Sequence, residues 1–227
     1  MTARAALLPD RGVVRIQGAE ARSLLQGLVT TDMDEVRPGR ARHAALLTPQ
    51  GKILFDFLVI EAETDSFLLD VAQDKAAELA RRLLFYRLRA KVDIAEATDL
   101  RVAAVWDGAA EDAPGVLVPD PRLPALGARL IGPENETRRW LASGAVAAAD
   151  AAQYHAHRIA LGVPEGGKDY AFGDPFPHEA DLDQLGGVDF DKGCFVGQEV
   201  VSRMEHRGTA RRRIVPVRLD GPAPPAG

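Results

Sequence analysis

The chain has 227 residues, 46% of them hydrophobic and 27% charged, with a net charge of −5. That length suits one large domain or two small ones with an ample core, and the charge gives no global pull toward nucleic acid or an anionic membrane. No stretch approaches the roughly 20 apolar residues of a membrane span, and a single cysteine excludes an internal disulfide and fits a reducing compartment.

The first residues, Met1 to Asp10, carry one arginine and a very short apolar run. That is too short for a secretory signal and too poor in Arg and Ser for a mitochondrial presequence, so the expected location is the cytoplasm. Val13, Val14 and Ile16 then read as a short strand stopped by Gly18. Leu24, Leu25 and Leu28 fall at helical spacing within 19–28, with a loop following from Thr30. Next comes a meander: an apolar run over 43–47, a turn at Thr48-Pro49-Gln50-Gly51, a strand over 53–60, a turn at 63–66 and a strand over 67–71. Ala76, Leu79, Leu83 and Tyr86 place an amphipathic helix over 74–88, laid on that sheet. Arg81, Arg82, Arg87, Arg89 and Lys91 crowd its far end and read as a solvated face that complements a helix C-terminus.

Short strands follow over 92–95, 102–106, 116–118 and 128–131, then two helices between 135 and 163, the second over 151–161. From Gly162 to Gly193 glycine, proline and acidic residues dominate, giving a long irregular segment of the kind that often carries function. A helix over 197–206 and an alternating strand over 211–219 precede a proline-rich tail. The expected fold class is α+β, with mostly antiparallel sheets and flanking helices. The layout expected is a discontinuous first domain, 1–43 plus 99–209, with a sheet-plus-helix domain inserted at 44–98.

The chemistry concentrates in Asp191-Lys192-Gly193-Cys194-Phe195-Val196-Gly197-Gln198-Glu199, which holds the cysteine. Two glycines shape the loop, Lys192 precedes the sulfur by two residues, and a helix begins just after it. A neighbouring cation and a helix N-terminus are the surroundings of reactive or metal-binding thiols. One thiol cannot by itself hold an iron–sulfur cluster, which typically takes four thiolates.

This motif resembles the signature of the YgfZ family, folate-binding proteins of iron–sulfur cluster maturation related to the glycine-cleavage aminomethyltransferase. Further pieces are similar to the mitochondrial iron–sulfur-assembly branch in order and spacing: Tyr154-His155-Ala156-His157-Arg158, Gly162-Val163-Pro164-Glu165-Gly166, Gly186-Gly187-Val188 and Arg207-Gly208. Gln26-Gly27-Leu28-Val29-Thr30 and Leu47-Thr48-Pro49-Gln50-Gly51-Lys52 are similar as well. The resemblance implies an aminomethyltransferase-like folate-binding fold. It also implies a small C-terminal β-barrel, of which 210–227 would be an incomplete start.

It further implies tetrahydrofolate as cofactor. A pterin edge calls for carboxylates, here Asp56, Glu165, Glu179 and Asp181. Asp181 stands where relatives commonly show asparagine. Tyr86 and Phe195 are the expected walls, and Arg158, Lys192 and Arg203 the expected cations for a polyglutamate tail. Cys194 is the expected reactive thiol, tuned by Lys192, Gln198 and Glu199, and a ligand to a transient cluster shared with a scaffold or carrier partner such as an A-type carrier.

The function so implied is maturation of [4Fe-4S] proteins, with any link to tRNA modification indirect. The alternative is a tetrahydrofolate-dependent aminomethyl or other one-carbon transferase. There, relatives carry paired acids where this chain has Phe55-Asp56, and one acid cannot split acid and base roles. Arg203, Arg207, Arg211, Arg212 and Arg213 form a basic patch without the aromatic interleaving of a stacking platform, so no direct nucleic-acid partner is expected. The five histidines show no tight ligand spacing and predict no mononuclear metal site.

Overall fold

Residues 2–208 and 210–221 are described by a computed structural model. The N-terminal half runs β1 (Arg4–Leu7), β2 (Arg11–Gln17), α1 (Ala21–Gln26), β3 (Arg42–Leu47), β4 (Ile53–Glu63), β5 (Ser66–Ala72) and α2 (Ala76–Arg87). Then come β6 (Asp93–Glu96), β7 (Leu100–Trp106), β8 (Val116–Pro119), β9 (Ala128–Pro133), α3 (Glu134–Ala142) and β10 (Ala147–Ala148). The helices α4 (Ala151–Ala160) and α5 (Gln198–Arg207) bracket the long irregular segment. Asp150 starts α4 with a capping box: its carboxylate accepts from the Gln153 backbone at 2.8 Å, and the Gln153 side chain accepts from the Asp150 N–H at 3.1 Å.

The strands form two five-stranded sheets, ordered β10-β1-β7-β9-β8 and β3-β4-β5-β2-β6. Described pairings are antiparallel, except β1 with β10. Alternation along the strands sorts their side chains into layers. Phe55, Phe57, Val59, Phe67 and Leu69 pack with Leu25 of α1 and Leu79 and Leu83 of α2. Ile60 and Leu68, from the other face, meet Ala6, Val102, Ala104 and Trp106 of the first sheet. The outer face of that sheet, including Ala5, Val105 and Leu130, packs on Trp140 of α3. The stack is therefore helices, sheet, sheet, helix, and the polar residues of interest lie between the two sheets.

The expected α+β architecture is found; two details differ. An inserted unit confined to 44–98 would cut through its own sheet. β2 lies between β5 and β6, paired with β5 from Arg11↔Ala72 to Gln17↔Ser66. Strand partners are set by hydrogen bonds and need no closeness in sequence. The strand expected over 211–219 does not form either: the segment is irregular, with one backbone hydrogen bond, Ile214 N–H to the Glu179 carbonyl at 3.2 Å. Alternation alone makes no strand without a neighbour to complete the ladder, and ion pairs of Arg212 and Arg213 hold this stretch instead.

Candidate functional site

Cys194 is exposed, between buried Lys192 and buried Phe195. The Asp189 carboxylate turns the loop by accepting from the backbone N–H groups of Asp191 (3.0 Å) and Lys192 (3.1 Å). Lys192 then points inward and donates to the carbonyls of Gln26 (2.9 Å), Val29 (2.6 Å) and Thr31 (2.7 Å). Burial draws its ammonium down to about 8, against the pull of Asp32 and Asp189. Thr30 completes the seat: its hydroxyl donates to the Gly187 carbonyl at 2.5 Å and accepts from the Ala45 N–H at 2.8 Å. The Gln26–Thr30 motif is thus the seat of the cysteine loop.

On the other side the loop abuts the β3–β4 turn. Gly197 has φ +82°, and a Cβ there would lie 2.5 Å from the Thr48 carbonyl oxygen and 3.1 Å from Gly51 Cα. Only glycine fits this close approach. Phe195 is a core residue beside Leu47, Ile53 and Val201, so it anchors the loop and lines no opening described here. The thiol is an exposed group on a backbone fixed from both sides.

The other residues named from the sequence lie at separate places in the fold. Lys192 is a correction: with its ammonium spent on three carbonyls, it positions the loop and has no hydrogen free for the sulfur. Glu199 and Arg203 pair with each other at 2.7 Å on the exposed face of α5. Gln198 is the first residue of that helix, its N–H bonded to the Phe195 carbonyl at 3.2 Å. Tyr86 packs at the margin of the helix-side core, edge-on to Phe85, on the face of the second sheet opposite Asp56. Glu179 and Asp181 lie in and just after a 3-10 turn, Pro177–Ala180, and hold Arg212 (2.9 Å) and Arg213 (3.3 Å). Asp181 sits at φ +59°, a left-handed position that aspartate tolerates.

Asp56, Glu165 and Arg158 do come together, between the sheets. Glu165 lies 3.8 Å from Arg11 and 3.7 Å from Arg158. Arg158 also donates to Asp169 (2.6 Å), to the Val163 carbonyl (3.0 Å) and to His155 Nδ1 (3.1 Å). Asp56 is 4.0 Å from His43 Nε2. Burial alone would raise the Asp56 pKa, but His43 and Arg11 outweigh it and hold the carboxyl below its ordinary value. The Tyr170 phenol goes the other way, raised by burial and by the Asp56 charge.

Sequence reasoning missed Arg11, His43, Asp70, Asp169 and Tyr170. Arg11 bonds Asp70 at 2.7 Å, and both are buried. The available signal was a charge inside an apolar strand: Asp70 interrupts Phe67–Val71 as Asp56 interrupts Phe55–Phe57.

The group offers the carboxylate acceptors that the N–H edge of a pterin requires, with one phenol beside them. Asp56 Oδ1, Glu165 Oε2 and the Tyr170 hydroxyl are buried and have no hydrogen-bond partner among the described residues. Gly166 leaves room where a Cβ would strike Asp56 at 2.6 Å and Phe172 at 2.5 Å. Two clefts flank it, of about 280 Å³ beside Tyr170 and about 220 Å³ beside Arg158, both bordered by Ile214.

Residues 10–112 match the family model of the GCVT N-terminal domain. The fold is similar to the crystal structure of glycine cleavage system aminomethyltransferase T from Bartonella henselae, with a TM-score of 0.72 over 91% of this chain and 64% of that one, at 14% identity. Fold and sequence together define an aminomethyltransferase-like fold. Among curated relatives, the mitochondrial iron–sulfur cluster assembly factor IBA57 of Homo sapiens is 33% identical over 243 residues, covering 97% of this chain and 67% of that protein. The IBA57 homologue of Mycosarcoma maydis is 34% identical over 99% of this chain and 60% of its own length, and that of Neurospora crassa 31% identical over 96% and 54%. The chain belongs to the IBA57/YgfZ-type family of iron–sulfur cluster assembly factors, and spans between half and two thirds of the length of these relatives.

Proposed function

We propose that the protein acts in iron–sulfur cluster maturation, for [4Fe-4S] clients, by lending the Cys194 thiolate to a cluster held jointly with a carrier or scaffold protein of the A-type kind. The observation that carries this is the placement of the sulfur: exposed, on a loop that Lys192 and Gly197 hold rigid. A fixed, accessible thiolate suits shared ligation, because the cluster passes on when the partner's ligands compete for it. Tetrahydrofolate is the proposed cofactor, with Asp56, Glu165 and Tyr170 holding the pterin edge and Phe172 as a wall. When bound it would supply a one-carbon carrier. The proposed location is the cytoplasm.

The test is anaerobic cluster reconstitution with and without an A-type carrier, comparing wild type with Cys194→Ala by visible absorption and by activation of a [4Fe-4S] client. Wild type is expected to accelerate activation and Cys194→Ala to lose that effect. Equal support by the variant overturns the role of the thiol. The one-carbon-transfer reading is favoured by the buried, unpartnered Asp56 Oδ1. Turnover of a methylamine donor with tetrahydrofolate, lost in Asp56→Asn, would establish it in place of the first.

A further inference from the structure

The C-terminal end of α2 carries a feature that neither the thiol loop nor the inter-sheet cluster uses. Phe85 is 75% exposed and Leu88 is 86% exposed. Around them stand Arg81, Arg82, Arg87, Arg89 and Lys91, none with a carboxylate within ion-pair distance among the described residues. A solvated helix end explains the charges but not the bare carbon.

The backbone gives a second, independent sign. Ala90 N–H bonds the Arg87 carbonyl at 2.8 Å, closing a four-residue turn in which Leu88 takes φ +47° and ψ −105°. That is the second position of a type II′ turn, where glycine is the ordinary occupant. A leucine held there is strained, and its side chain is turned out to solvent rather than into a core. Strain retained with no packing in return marks a position kept for contact with something else.

We propose that this knob is a docking site for an acidic, amphipathic segment of a protein partner. Its apolar face would lie on Phe85 and Leu88, in the open groove formed by Gln17, Gly18 and residues 87–93. Its carboxylates would meet the arginines. Four arginines to one lysine favour planar, two-pronged recognition of carboxylates, and an aromatic anchor ringed by arginine is the composition of a protein interface, where lysine is depleted. A single phenylalanine is no stacking platform for nucleic acid.

The knob also bears on the thiol loop through α1. The Lys91 N–H bonds Glu20 at the start of α1, and Lys192 bonds the Gln26 carbonyl at its end. The helix between them is six residues long, about 9 Å.

The test titrates a labelled synthetic peptide, rich in glutamate with leucine and phenylalanine on one helical face, against the whole protein at physiological salt. Wild type is expected to bind it, with Phe85→Ser, Leu88→Gly and Arg89→Glu each weakening binding about tenfold. Leu88→Gly is expected to raise Tm by a few degrees while it loses binding, a pairing that a structural role for Leu88 does not give. Cys194→Ser is expected to bind as wild type does, so this result stands or falls apart from the thiol chemistry. Unchanged binding in Leu88→Gly, equal binding of plain polyglutamate, or tighter capture by phosphatidylserine vesicles or tRNA through the same residues overturns the proposal.

Discussion

The cysteine loop and the inter-sheet cluster use buried charge in opposite ways. At the loop, one buried cation is spent on neutral carbonyls so that a neighbouring sulfur can stay outside. Between the sheets, cations and anions neutralise one another: Arg11 with Asp70, Arg122 and Arg129 with Asp120, Arg158 with Asp169. The first arrangement fixes the position of a single exposed group. The second fixes how two sheets meet, and leaves a few polar atoms unpartnered where the sheets meet the long irregular segment. Variants in the second region should therefore act on the whole fold, and variants in the first on the loop.

Acid is the strongest way to break that contrast. Asp10, Asp56 and Asp120 feel burial, which would raise them, but His155, His43 and Arg122 respectively, with their neighbours, hold all three below the ordinary carboxylate range. A depressed folded-state pKa means that the unfolded chain takes up protons first. The stability these groups contribute is present above about pH 4 and lost as pH falls below it. Circular dichroism against pH should show cooperative unfolding in that range. Next comes Asp70→Asn, which takes the nearer of two carboxylates from the buried Arg11 and one from the buried Arg129, and should cost about 3–5 kcal/mol in denaturant titration.

The loop variants are smaller in stability and sharper in place. Lys192→Met leaves the Gln26, Val29 and Thr31 carbonyls without their donor and should cost about 2 kcal/mol, with faster hydrogen exchange confined to 26–31 and 189–197. Gly197→Ala meets both a positive φ and the Thr48 carbonyl, and should cost about 1–3 kcal/mol. In both, alkylation of Cys194 should change rate while the inter-sheet region keeps its exchange protection. Global loss of protection in either variant would show that loop and cluster are one cooperative unit.

Much of this could be read beforehand where the signal is local. The helix over 151–161, the turn at Thr48–Gly51 and the helix after Gly197 are written in adjacent residues. What failed to show was nonlocal. Nothing near Arg11 in the sequence announces Asp70, and nothing near Lys192 announces three carbonyls more than 160 positions away. The alternation of 211–219 is a true pattern with no strand beside it among the described residues to complete it. For the candidate site, the thiol was legible because its motif is contiguous. The Asp56–Glu165 pairing was legible only as separate acids, since the contact that joins them runs through Gly166 and Arg11.

The touching glycines at positions 51 and 197 bind the hairpin tip and the thiol loop into one geometric unit. An insertion in either turn would push the sulfur off its height above the surface. Both turns must keep their length together, so swapping one alone from a relative should misplace the sulfur even when every neighbouring side chain is preserved.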